Sequence, residues 1–196
     1  MARAPARTPE ERRHDILAAA RRVFAAKGYH RTGIADIVTE VGVARGTFYR
    51  YYDSKRTVFQ AVLEQMMGEV VGVVQPIDVA RPIPAQVEEN LDRLIHAITA
   101  EDVCRVLFAE AMGIDAEGDD ALRAFYGQAL QRIELALQTG QALGVVRPGD
   151  VRLKARLLLG LIKEPVVQAT LEAQELDSAA LVEELVGLLR DGLIVR

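Results

Sequence analysis

Residues 32 to 55 decide the fold of this chain and read TGIADIVTEVGVARGTFYRYYDSK. The first half of this stretch has apolar side chains at the spacing of one helix face, which predicts a short amphipathic helix. Those positions are Ile34, Ile37, Val38 and Val41. The glycine that follows, Gly42, can adopt the positive φ that ends a helix and lets the next one leave at a steep angle.

The segment after this glycine predicts a second short helix with a polar face. Arg45 and Arg50 are long donors that can reach guanine edges or phosphates. Gly46 allows the backbone to approach DNA closely, and Thr47 and Tyr49 offer hydroxyls suited to phosphate oxygens. Helix, glycine turn and polar helix together are typical of the helix-turn-helix, whose second helix enters the major groove.

Two further helices flank this unit. Residues 8 to 11 supply a hydroxyl cap, a proline at the first helical position and a glutamate for a capping box, and Gly28 ends the helix. Ser54 predicts the cap of a long fourth helix, with Lys55 in its first turn, where backbone N–H groups favour an anion. Residues 1 to 7 are expected to be a disordered arm.

The stretch from residue 11 to residue 59 resembles the N-terminal DNA-binding domain of the TetR family of bacterial regulators. The residues that carry the resemblance are residues 16–20, residues 24–29, Thr32, Ile34, Ile37, Gly42, Val43, residues 46–49, Tyr51, Tyr52, Ser54 and Lys55. The family order of these positions is kept throughout, which makes a chance match improbable.

The resemblance implies roles for single residues of the head. The positions to which it assigns phosphate contact are Thr32, Thr47, Tyr49 and Lys55, and those to which it assigns variable base contact are Ala44, Arg45 and Arg50. Alanine at position 44 departs from the family pattern, where serine is frequent, and removes a hydroxyl cap. Phe48 and Tyr51 are expected to pack in the core of the head.

Charge is distributed unevenly along the chain. Residues 1–60 contain 12 Lys and Arg against 6 Asp and Glu, a net charge of +6, whereas the whole chain of 196 residues has −4. The remainder of the chain therefore carries −10. A basic head on an acidic body is typical of a DNA-binding protein, although two ordinary surfaces could also differ in this way.

Beyond the prolines of residues 76–84 every segment has helical spacing, and no alternating strand pattern occurs. We therefore predict an all-α protein of about nine helices. A three-helix DNA-binding head would occupy residues 1–53, and a larger ligand-binding and dimerisation bundle residues 54–196. Pro165, inside the penultimate helix, is expected to kink that helix or to end it.

The last two predicted helices are more apolar than one chain of this size can cover. A two-fold DNA reader needs a dimer, and the resemblance places the dimer interface on these helices. The residues assigned to that interface are Leu157, Leu161, Leu181, Leu185 and Leu188. Burial within a single chain is the alternative.

No catalytic constellation is visible, so we expect neither an enzyme nor a cofactor. Glu88, Asp92 and His96 share one helix face that a metal could use, but a solvated face is the better interpretation and no metal is predicted. Nucleophile-elbow, phosphate-loop and dinucleotide motifs are missing. An all-α small-molecule binder or enzyme with an incidental helix-turn-helix is one alternative, and an architectural or adaptor protein is another.

The expected regulator is a homodimeric repressor that binds a palindromic operator in double-stranded DNA and is released by a small molecule. The candidates to line the inducer cavity are His96, Arg105, Phe108 and Tyr126, with a hydrogen-bonded core as the alternative. Aromatic residues make up 5% of the chain, which favours an apolar, aliphatic or acyl inducer.

A cytoplasmic location without membrane contact is expected. The one cysteine leaves no internal disulfide to form, and the first residues lack the apolar segment of a signal peptide. The longest apolar run, residues 157–162, is too short to span a bilayer.

Overall fold

The computed structural model describes residues 7–78, 80–107, 116–172, 174 and 177–192. The elements formed by these residues are all helical, so the predicted all-α class is confirmed and the expected helix number agrees with the nine in the described ranges. They are α1 (Pro9–Lys27), α2 (Ile34–Val41), α3 (Arg45–Tyr49), α4 (Lys55–Gly72), α5 (Ile83–Ile98), α6 (Glu101–Leu107), α7 (Ala116–Ala142), α8 (Val151–Leu171) and α9 (Ser178–Gly192).

The predicted start and end of α1 are confirmed. The Thr8 hydroxyl accepts from the Glu11 N–H at 3.2 Å, and the Glu11 carboxylate accepts from the Thr8 N–H at 2.7 Å. These two bonds satisfy backbone donors that the first turn of a helix leaves without partners. Gly28 ends the helix with a φ of 78°. Of the predicted disordered arm, residues 1–6 lie outside the described residues.

The start of α4 is built in the same way. The Ser54 hydroxyl accepts from the Thr57 N–H at 3.1 Å, and the Ser54 N–H donates to the Thr57 hydroxyl at 3.0 Å. The helix then runs for 18 residues, or about 27 Å at 1.5 Å per residue. It is therefore long enough to connect the helix-turn-helix with the helices that follow.

One apolar core runs without a break from the head through α4 into the body. In the head, the Phe59 ring of α4 packs on the Phe24 and Tyr29 rings, with centroids 5.0 and 4.6 Å apart. The same cluster of buried side chains includes Val106 of α6 and Val166 of α8. The predicted boundary between residues 53 and 54 falls at the cap of α4, but side-chain packing continues across it.

Helix α8 continues through Pro165 to Leu171. The expectation that this proline could end the helix is therefore wrong, and the kink stays a prediction. Proline removes one backbone hydrogen bond, but α8 is buried on either side of it, with Val166 in the main core and Ala155 in a second cluster with Leu137 and Val146.

Helix α9 packs on α5. Val182 and Leu185 are buried against Ile95 of α5, and the Arg190 guanidinium binds both carboxylate oxygens of Glu88 at 2.9 and 3.1 Å. Leu185 therefore belongs to the core of its own chain, and its assignment to the dimer interface is wrong. Among the helices described, none has the length and apolar character that crossing a bilayer requires.

Candidate nucleic-acid interface

The turn between α2 and α3 has the predicted glycine geometry. Gly42 lies in the left-handed region with a φ of 70°. Its N–H donates to the carbonyls of Val38 and Thr39, and the Val43 N–H also donates to Val38. These bonds satisfy the last carbonyls of α2. A turn of only three residues therefore separates the end of α2 from the start of α3.

Helix α3 is anchored by one aromatic side chain. Phe48 is fully buried in the core of the head, as predicted. Since this residue faces inward, the opposite side of the short helix is free to face a partner. The exposed residues of the helix are Arg45, Gly46 and Tyr49; Ala44 just before it and Arg50 just after it are also exposed, and Thr47 is half-buried.

The second tyrosine of the pair after α3 is the buried one. Tyr52 is 4% exposed, whereas Tyr51 is half-buried at the edge of the core. The expectation that Tyr51 packs in the core is thus correct only in part, and Tyr52 takes the deeper position. The Tyr52 N–H donates to the Phe48 carbonyl, so the two side chains lie one turn apart on the same side.

Arg45 and Tyr49 are held together on the exposed side of α3. An Arg45 Nη donates to the Tyr49 hydroxyl at 3.3 Å, and the guanidinium carbon lies 5.7 Å from the centre of the tyrosine ring. The Tyr49 hydroxyl keeps its own proton to donate to a phosphate oxygen. The pair therefore presents two adjacent donors.

Thr32 cannot make the phosphate contact that the resemblance implies through its side chain. It is 2% exposed, and its hydroxyl donates to the Gly28 carbonyl at 2.6 Å. Its N–H donates to the Tyr29 carbonyl. Both donors are used to close the turn between α1 and α2, because the end of α1 leaves carbonyls without helical partners.

Lys55 connects the start of α4 to the end of α1. Its ammonium donates to the Tyr29 carbonyl at 2.9 Å and lies 4.2 Å from the centre of the Tyr29 ring. A cation over an aromatic face is attracted by the ring quadrupole. The ammonium has two further N–H groups, so a phosphate contact at this position stays a prediction.

The head contains a basic concavity that the sequence analysis did not identify. An open hollow of about 440 Å³ lies beside α3, and we call it the head hollow. Its lining residues are Arg7, Pro9, Arg12, Gly42, Val43, Ala44, Thr47, Arg50 and Tyr51. The start of α1 is thus brought next to the recognition helix, although some thirty residues separate them along the chain.

Two of the four candidates for an inducer cavity are exposed in the described structure. His96 is exposed, with Nδ1 3.0 Å from the Asp92 carbonyl, and Arg105 is also exposed. The assignment of these two residues to a cavity is wrong, because their buried neighbours Ile95 and Val106 take the inward positions. Phe108 lies outside the described residues.

Tyr126 faces inward, unlike His96 and Arg105. It packs against the main core, and its burial raises the pKa of the phenol to about 12. The Lys163 ammonium of α8 lies 5.2 Å from the centre of its ring. An apolar interior with a cation at its edge is therefore present between α7 and α8.

The proposed dimer residues on α8 face outward. Leu157 and Leu161 are 58% and 40% exposed, and Leu153, one turn earlier, is also exposed. A Cβ added at Gly160 would meet, beyond its own helix backbone, no atom of the described residues within 4 Å. On α9, Leu188 is exposed and Leu181 half-buried. Apolar surface of this kind marks an interaction site.

Replacing Gly46 with Ala should separate folding from DNA binding. A Cβ at this position meets no atom within 4 Å, and alanine favours a helix by up to about 1 kcal/mol over glycine. We expect an unchanged or slightly higher melting temperature but weaker DNA binding, because the methyl group occupies space that the duplex backbone approaches. Thermal denaturation and gel-shift titration measure the two effects.

The matched control is Gly42→Ala. Gly42 has a positive φ, a conformation that costs a residue with a side chain about 1–2 kcal/mol. The free energy of unfolding of this variant should therefore fall. A Gly46→Ala protein that binds its target with unchanged affinity would contradict the close approach.

Comparison with known proteins agrees with this geometry. Residues 16–62 match the family described as bacterial regulatory proteins, tetR family. The chain is 26% identical to the fatty acid metabolism regulator protein of Bacillus subtilis (strain 168), over 91% of this chain and 93% of that protein.

Two solved structures have the same fold. The fatty acid degradation regulator FadR from Bacillus halodurans superposes with a TM-score of 0.79 at 22% identity, over 96% of this chain and 98% of that one. FadR from Bacillus subtilis, solved in complex with stearoyl-CoA, has a TM-score of 0.75 at 23% identity, over 91% and 98%. With its helix-turn-helix and its regulator relatives, the chain is a DNA-binding transcriptional regulator whose N-terminal head, residues 16–62, matches the tetR family.

Proposed function

We propose that this regulator is a homodimeric repressor that binds a palindromic operator and is released by a long-chain acyl molecule. The observation that carries the proposal is the pair of exposed cations at the two ends of α3, Arg45 and Arg50, on a helix whose Phe48 is buried in the core. A helix oriented in this way can enter a major groove without disturbing its own core.

The exposed leucines of α8 support the dimer. Leu153, Leu157 and Leu161 are spaced by four residues and so form one stripe along the helix. Gly160, beside the stripe, leaves room for a helix from a second copy. In a two-fold dimer the two heads would meet half-sites in successive major grooves, about 34–36 Å apart.

The chemistry of the body supports an acyl inducer. Val106, Phe125 and Val166 contribute to an apolar interior, and the Lys163 ammonium at its edge could meet an anionic head group. A Bacillus subtilis relative is named for the regulation of fatty acid metabolism, and FadR from Bacillus subtilis, which has the same fold, was solved with stearoyl-CoA. The mechanism is conformational and needs no catalytic group.

Arg21 offers a route from the body to the head. This α1 side chain binds Glu69 of α4 at 2.6 Å and Asp102 of α6 at 2.7 Å. Burial acts to lower the pKa of Arg21, but the two carboxylates outweigh it, so the pKa is raised. A ligand that moves α6 would therefore shift α1. Coupling of about 1–3 kcal/mol would weaken DNA binding roughly 5- to 150-fold.

Nuclease footprinting on the region upstream of the chain's own coding sequence tests the proposal. We expect protection of two half-sites about one helical turn apart. Stearoyl-CoA should abolish that protection at concentrations at which coenzyme A alone has no effect. Protection of a single, asymmetric site would contradict the dimeric palindrome reader, and protection that survives stearoyl-CoA would contradict the acyl inducer.

A further inference from the structure

The head hollow is bounded by two elements that are distant in sequence. Arg7 and Arg12 stand on the side formed by the start of α1. Thr47 and Arg50 stand on the side formed by α3. The concavity is therefore continuous with the surface of α3 that faces DNA, and it brings three guanidinium groups to one open space.

Several cations of the head are neutralised by an acidic neighbour. Arg22 binds Glu40 at 2.8 Å and Lys27 binds Asp36 at 2.6 Å. The carboxylate of Asp36 correspondingly has a pKa below its usual value, mainly through its bond with Lys27. Ion pairs of this kind leave little charge for an external anion.

Two of the three cations that line the hollow have no such neighbour among the described residues. Arg7 is paired with Asp15, but within the described part of the chain neither Arg12 nor Arg50 has an ion-pair partner. The positive charges of Arg12 and Arg50 repel each other across the hollow. An anion placed between them would be attracted by both and would offset this repulsion. The hollow is thus complementary to a negative group that can accept several hydrogen bonds.

We propose that the head hollow binds one phosphodiester group of the operator backbone, between the guanidinium groups of Arg12 and Arg50. The Thr47 hydroxyl on the same wall is a third donor to that group. Arginine is suited to this role because its planar fork can donate two parallel hydrogen bonds to phosphate oxygens. The proposal rests on the proposed DNA-binding function and adds α1 to the elements that contact DNA.

This assignment changes the role of Arg50. The resemblance implies a base contact at this position, whereas the hollow makes Arg50 a backbone contact that carries no sequence information of its own. Arg45, which does not line the hollow, then remains the long side chain of α3 that reads base edges.

Salt-dependent binding distinguishes these roles. Affinity for the operator and for a shuffled duplex of the same composition is measured from 50 to 200 mM potassium chloride. Each of Arg12→Ala and Arg50→Ala should weaken both duplexes equally, by about 10-fold. Each should also reduce the slope of log K against log salt by about 0.9 for each head, the value for one phosphate, and so by about 1.8 for the dimer. Because one phosphate is shared, the double variant should lose no more slope than either single variant.

Two further variants serve as controls. Arg45→Ala should weaken the operator far more than the shuffled duplex. Arg22→Ala removes the same charge from the same head, but at a residue paired with Glu40, so its slope should equal that of the wild type.

An unchanged slope in Arg12→Ala would overturn the shared phosphate site, as would an Arg50→Ala protein that loses affinity for the operator alone. A wild-type protein that prefers neither duplex would instead refute the proposed function and this inference with it.

Discussion

A Leu157→Glu protein should sediment as a monomer and bind its operator about 10²- to 10⁴-fold more weakly than the wild type, because the second head is then no longer tethered to the first. Leu157 is 58% exposed in the middle of the α8 stripe. In the proposed dimer its replacement would bury a carboxylate without a partner, at a cost of several kcal/mol. Analytical ultracentrifugation and gel-shift titration measure the two losses.

Leu135→Glu is the matched control. Leu135 is 65% exposed, but it lies on α7, outside the stripe assigned to the dimer. The same substitution there should leave both the oligomeric state and the DNA affinity unchanged. A Leu157→Glu protein that remains dimeric would place the interface on another surface.

Truncating Phe48 should reduce stability more than any other change considered. The side chain is fully buried, and Phe→Ala substitutions in cores cost about 3–5 kcal/mol in the free energy of unfolding. Since Phe48 is the buried anchor of α3, the variant should also lose operator binding. Urea denaturation followed by circular dichroism measures the stability, and a gel shift measures the binding.

Tyr49→Phe tests the neighbouring, outward-facing ring. Tyr49 is 41% exposed, so the loss of its hydroxyl should change stability by less than about 0.5 kcal/mol. DNA affinity should fall, because the expected phosphate donor is gone.

For Phe48→Ala, operator binding of wild-type strength would show that α3 does not depend on Phe48 as its anchor.

Local features of the fold could be predicted from the sequence because their causes lie within a few residues. The Thr8 and Ser54 caps and the turn at Gly42 are set by side chains one turn away. The apolar period of α2 likewise fixes which of its sides is buried. For the same reason the class and order of the head helices followed from the sequence.

Features that depend on distant neighbours could not be predicted. The buried state of Leu185 depends on Ile95, ninety residues earlier in the chain. Nothing in the local pattern distinguishes Leu185 from the exposed Leu188. The position of Arg12 beside Arg50 is likewise invisible in the local pattern, because only the packing of α1 against the helix-turn-helix brings the two side chains to one hollow.

The single core shared through α4 limits how this regulator could be re-engineered. Phe59 lies among head residues and Met66 in the same cluster further along the helix, so cutting the chain after residue 53 would strip apolar contacts from both halves. The reading head is therefore not a detachable module. A head moved to another protein would lose the α4 side chains on which its core packs. New operator preferences would therefore have to come from changing the exposed side chains of α3.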